Sequence, residues 1–89
     1  MKTQISLRGC ESTPDLEARL EALGARVSEV VPQAQFAKFS VESTALAHAV
    51  GVIIALGGGD TIVRHGDGPD WDRAFMELER RLDRLAERD

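Results

Sequence analysis

From Thr3 to Arg8 apolar and polar side chains alternate, with Ile5 and Leu7 on one side and Gln4, Ser6 and Arg8 on the other. That two-residue period predicts a half-buried strand ending at Gly9. Ser12-Thr13-Pro14-Asp15 then supplies hydroxyl caps, a proline tolerated in the first helical turn and an acid for the helix dipole. From there Leu16, Leu20, Leu23, Val27 and Val30 or Val31 recur at helical spacing until Pro32. Gly24 weakens this helix, so its end is expected anywhere from Ser28 onward. Phe36 to Glu42 alternates again, with Ala37, Phe39 and Val41 opposed to Lys38, Ser40 and Glu42, a second strand. Ser43-Thr44 suit the cap of a short helix over Ala45 to Ala49, but Val50-Gly51-Val52-Ile53-Ile54 is β-branched, and the strand reading prevails from about His48. On that third strand His48, Val50, Val52, Ile54 and Leu56 share one face. Ala49, Gly51, Ile53 and Ala55 share the other, which is mostly small and so thinly covered. Gly57-Gly58-Gly59-Asp60 predicts a hairpin, Thr61 to His65 its returning strand, and Gly66-Asp67-Gly68-Pro69 a turn before a final helix capped by Asp70. The order is β-α-β-β-β-α, an α+β fold.

Composition narrows the class without changing that picture. Eighty-nine residues hold one core, hence one domain over residues 1–89, and 43% hydrophobic with 29% charged residues is a globular balance. The single Cys10 forms no internal disulfide, and Met1 to Gln4 lack the apolar segment of a signal peptide. A cytoplasmic setting is expected. The longest apolar run, Ala49 to Leu56, is far below the roughly 20 residues that span a bilayer.

Local motifs point away from catalysis. Gly57-Gly58-Gly59-Asp60-Thr61 looks superficially like a phosphate loop, but no lysine follows and Ile62-Val63 is strand-like, so a hairpin is expected. His48, His65, Cys10, Asp60 and Asp67 show none of the short fixed spacings of zinc motifs. Ser6, Ser40 and Cys10 have no local signature of an activated nucleophile. No enzyme, no cofactor and no metal are expected. Trp71 follows the helix cap on the apolar stripe and reads as a core anchor, although tryptophan also stacks on bases.

The final helix, Asp70 to Asp89, holds the clearest pattern. At about 100° per residue, Trp71, Phe75, Leu78, Leu82 and Leu85 fall together as a packing face. Roughly opposite lie Arg73, Arg80, Arg84 and Arg88, with Arg81 alongside. Asp72, Glu79, Asp83 and Glu87 gather on a separate flank, and Glu77 sits among the arginines. A net charge of −4 opposes binding nucleic acid by bulk electrostatics, yet nine of the eleven basic residues are arginine, which suits bidentate contact with phosphate. The bland expectation is a solvated face with i,i+4 pairs such as Glu77 with Arg81. The sharper one is a phosphate-contacting rail, joined by Arg19 and Arg26 on one flank of the first helix.

With these residues in view the chain resembles the ribosome hibernation-promoting factor family, also called the protein Y or ribosome-associated inhibitor family. Ile5-Ser6-Leu7-Arg8-Gly9 looks like its first strand and glycine, Thr13 with Leu16 like its helix start, and Val52, Ile54, Gly58 and Ile62 like its hairpin. Gly68, Asp70, Ala74, Leu78, Arg81, Leu82, Arg84 and Arg88 resemble its final helix. The resemblance implies a four-stranded sheet with two helices on one face, similar to the double-stranded RNA-binding type. It further implies a non-enzymatic short form, without the family's C-terminal extension, that sits on the small ribosomal subunit in the mRNA and tRNA channel and silences idle ribosomes. By position Arg26, Arg81, Arg84 and Arg88 carry over as RNA contacts, whereas Glu17 and Leu23 stand where the family has basic residues. The RNA-binding set expected from both lines is Arg19, Arg26, Arg73, Arg80, Arg81, Arg84 and Arg88. A second reading keeps the fold without the RNA, as a protein-interaction or regulatory module, with a homodimer through the sheet edge or the small-residue face as one form.

Overall fold

The computed structural model describes residues 1–86. Its elements are β1 (Lys2–Arg8), α1 (Pro14–Val30), β2 (Ala34–Ser43), β3 (His48–Leu56), β4 (Thr61–Gly68) and α2 (Trp71–Ala86), the expected order. Thr13 caps α1, its Oγ1 accepting from the Leu16 N–H at 3.1 Å, and Pro14 opens the first turn. The helix runs on to Val30, beyond Ser28, because Val27 and Val30 are both buried and hold the last turn down. Thr44 makes a tight turn between β2 and β3 rather than capping a helix: its Oγ1 accepts from the Leu46 and Ala47 N–H groups.

The strands lie in sequence order, with β1 parallel to β2 and both remaining pairs antiparallel. Alternation along each strand sends one set of side chains toward the helices. Ala37, Phe39 and Val41 of β2 and Val50, Val52 and Ile54 of β3 meet Leu16, Leu20, Leu23 and Val27 of α1 and Ala74, Phe75, Leu78 and Leu82 of α2 in one buried cluster. Cross-strand rows cover the other face. One of them, Ser6, Ser40, Gly51 and His65, is small enough to floor a shallow trough of about 430 Å³. Both helices therefore sit on one side and the thin face of β3 is open, as its composition predicts.

The glycine segment after β3 is the expected hairpin: Gly58 and Gly59 adopt φ of 87° and 90°, and the Leu56 N–H reaches the Asp60 carbonyl at 2.8 Å. The one correction of substance concerns β4, which continues through Gly68 where a turn is expected from residue 66. Gly66 is buried under α2, and a Cβ there would lie 2.5 Å from the Ala74 carbonyl oxygen and 2.6 Å from the Leu78 nitrogen. The glycines serve a close crossing of helix backbone over strand, not a reversal of the chain. Among the described residues no helix is long and apolar enough to cross a membrane.

Candidate nucleic-acid interface

Asp70 fixes the start of α2, its Oδ1 accepting from the Arg73 N–H at 2.8 Å. The apolar stripe of α2 then faces the sheet, with Ala74, Phe75, Leu78 and Leu82 buried. Trp71 closes the rim, its ring centroid 4.4 Å from that of His48 and 6.2 Å from that of Phe75. The orientation of this stripe dictates where every charge on the helix points.

Two of the acids on α2 face α1. Asp72 pairs with Arg19, which also contacts Asp15 at 3.3 Å and lies over the Phe75 ring at 5.5 Å from its centroid. Asp83 pairs with Arg26, accepting from its Nε at 2.8 Å, while Glu29 accepts from the same guanidinium at 3.1 Å. The hydrogen bond to Asp72 holds the Arg19 pKa above its ordinary value, and the hydrogen bond to Asp83 does the same for Arg26. Both cations of α1 in the expected set are thus tied to carboxylates across the helix–helix seam. The structure separates them from the arginines of α2.

On the other side of α2 the balance reverses. Arg73, Arg80 and Arg84 are exposed and Arg81 half-buried. Glu77 sits between Arg80, at 3.4 Å, and Arg81, at 3.3 Å, the i,i+4 pair expected from sequence. Arg81 also donates from Nη1 to the His65 carbonyl of β4 at 2.6 Å. Arg73 and Arg84 have no ion-pair partner among the described residues. Arg88 lies outside the described residues.

One cation was not singled out by the sequence pattern. Arg64 projects from β4 on the helix side of the sheet, across from Val52, and donates from Nη1 to the Val63 carbonyl at 2.7 Å. Arg64, Arg81, Arg84 and Leu85 line a cleft of about 330 Å³ at the seam of β4 and α2. The signal was present in the alternation: Ile62 and Arg64 share a face, so arginine occupies a position where a half-buried strand calls for an apolar side chain.

His48, His65, Cys10, Asp60 and Asp67 do not converge, and among the described residues no three metal-ligating side chains cluster. His48 Nδ1 is 3.0 Å from Ser43 Oγ, Cys10 is half-buried with its Sγ 4.0 Å from the Val41 carbonyl, and His65 lies on the open sheet face.

This architecture, a four-stranded mixed sheet backed by two helices, is shared with known proteins. A ribosomal subunit interface protein from Coxiella burnetii superposes with a TM-score of 0.83 over 99% of this chain and 96% of that chain, at 18% identity. The N-terminal domain of Protein Y from Thermus thermophilus matches over the whole of both chains with a TM-score of 0.68, at 12% identity. The fold implied by the family resemblance is therefore the fold found. No protein-family model matches the sequence, and no curated protein matches it significantly.

Proposed function

We propose that this chain is a non-enzymatic, cytoplasmic protein that binds the RNA of the small ribosomal subunit through the outward arginines of α2 and keeps idle ribosomes out of translation. The observation that carries this reading is the sorting of charge around α2. Asp72 and Asp83 are turned to α1 and neutralised, while Arg73, Arg80, Arg81 and Arg84 face away from them. A chain with a net charge of −4 thereby presents a local cationic strip, and local charge governs contact with a phosphate backbone. Arg88 extends the same helical periodicity in sequence. One structural neighbour of this fold is named a ribosomal subunit interface protein, which supports the choice of a ribosomal partner. Guanidinium groups read the position of backbone phosphates rather than base identity, which suits recognition of RNA shape. Arg19 and Arg26 belong to the proposed surface only as far as RNA competes with Asp72 and Asp83 for them. Occupying the mRNA and tRNA channel then needs only steric bulk.

The test is co-sedimentation with purified bacterial small ribosomal subunits across a salt series. Association at low salt, release as salt rises and loss on charge reversal at Arg81, Arg84 and Arg88 are expected. Absence of association at low ionic strength would refute the proposal. A second reading, self-association through the open sheet face, is favoured by the adjacent pair Ile53 and Val63, which are 44% and 54% exposed. A concentration-dependent dimer in light scattering, without RNA binding, would support that reading instead.

A further inference from the structure

We infer that the cleft between β4 and the C-terminal half of α2 is a seat for a single phosphate group, filled in the proposed complex by a backbone phosphate of RNA and organised by Arg64. This rests on the RNA-binding reading above but names a site which that reading does not require.

Arg64, Arg81 and Arg84 line one cleft, and among the described residues no carboxylate lines it with them. Gathering like charge is unfavourable unless an anion offsets it, whereas Arg19 and Arg26 on the opposite flank each face aspartate or glutamate. Glu77 offsets part of the charge from outside the lining, through Arg81 at 3.3 Å. Arg64 deepens the anomaly. Its place on the inward face of β4, opposite Val52, is one where Ile62 continues the core pattern two residues earlier.

Two of the three groups are held in place before any ligand arrives. Arg64 is anchored by one N–H on the Val63 carbonyl, and Arg81 by one on the His65 carbonyl. Both carbonyls belong to β4, an edge strand, so the two arginines also cover polar backbone that would otherwise await another strand. A guanidinium has five N–H donors, and these anchors leave most of them available. Cations approaching from a strand on one side and a helix on the other can each meet a different oxygen of a phosphate, which guanidinium groups bind bidentately. Leu85 forms an apolar wall that limits water on one side. The cleft, about 330 Å³, is open to solvent, as a continuous RNA strand requires.

The alternative is that Arg64 serves only to cap the strand edge. Two measurements on the full chain separate these roles and the two sources of phosphate. In the first, inorganic phosphate is titrated into labelled protein while the arginine Nε–H signals are followed by NMR. Joint saturable shifts at Arg64, Arg81 and Arg84, absent at Arg8 and lost in Arg64→Met, are expected. Absence of such shifts overturns the site. In the second, small-subunit binding is compared for the wild type, Arg64→Met and Arg8→Met, the last removing one arginine from the opposite face of the sheet. Arg64→Met should weaken binding roughly tenfold and lower the salt slope by about 0.9, whereas Arg8→Met should change neither. If Arg64→Met binds subunits as Arg8→Met does, the RNA phosphate is not in this cleft, and the RNA-binding reading survives without it. If the wild type fails to bind subunits while the phosphate shifts persist, the broader reading falls and the cleft stands as a site for free phosphate. Thermal melting of Arg64→Met within a few degrees of the wild type excludes unfolding as the cause.

Discussion

Along one flank of α2, Asp72 and Asp83 meet Arg19 and Arg26 of α1; along the other, Arg81 and Arg84 line a cleft with Arg64 of β4, and among the described residues no carboxylate lines it. Both flanks use the same cation at similar exposure, and they differ in what has been placed opposite it. The α1 flank is electrostatically closed, a seam whose charges satisfy one another at the surface. The β4 flank is left open, and its positive field is available to a ligand. The contrast explains how an acidic chain presents a basic strip: two of its acids pair with arginines of α1 at the surface of the helix–helix seam, on the side of α2 away from the cleft at β4.

The comparison can be broken most severely by neutralising the open flank. Arg80→Gln/Arg81→Gln/Arg84→Gln should reduce affinity for small ribosomal subunits at least about 100-fold at low salt, with the melting temperature little changed, because no buried group is touched. Next in size is Gly66→Ala. Its Cβ would press on the α2 backbone at Ala74 and Leu78, so the helix must lift from β4, destabilising the protein by about 2 kcal/mol and spreading the cleft. Chemical denaturation checks the first effect and subunit binding the second.

Opening the closed flank should have the opposite sign. Asp83→Asn removes the carboxylate that holds Arg26 and should raise subunit affinity by up to about tenfold at low salt, an advantage that shrinks as salt rises. Loss of affinity in this variant would mean that the seam orients the RNA-binding face rather than withholding charge from it. The smallest effect is expected from Glu77→Gln, which frees Arg80 and Arg81 from an acid on the surface of α2. Subunit affinity should rise by a few-fold at low salt, and stability should change by a few tenths of a kcal/mol.

What could be read from sequence alone divides along physical lines. The core face of each element was legible because burial imposes a period: Leu16, Leu20, Leu23 and Val27 in α1, or Val50, Val52 and Ile54 in β3, are buried where their spacing placed them. The sorting of arginine and acid around α2 was legible for the same reason. Which acid meets which arginine was not, since Arg19 and Asp72 are 53 residues apart and Arg26 and Asp83 are 57 apart. Such pairing depends on how two helices lie side by side, and no local period reports it. The extent of β4 was missed because glycine signals both a turn and a close backbone approach, and only the position of α2 over Gly66 decides between them. Arg64 was overlooked because an arginine on a short strand reads as ordinary polar alternation until the helix above it is known.

Whether the open flank of α2 binds phosphate is decided by the salt dependence of binding to small ribosomal subunits for the wild type beside Arg80→Gln/Arg81→Gln/Arg84→Gln. Log affinity should fall linearly with log salt in the wild type, with a slope shallower by roughly 2 to 3 in the variant, somewhat less than one for each phosphate contact removed. Equal slopes for the two proteins, or no binding by the wild type at low salt, would contradict phosphate binding there.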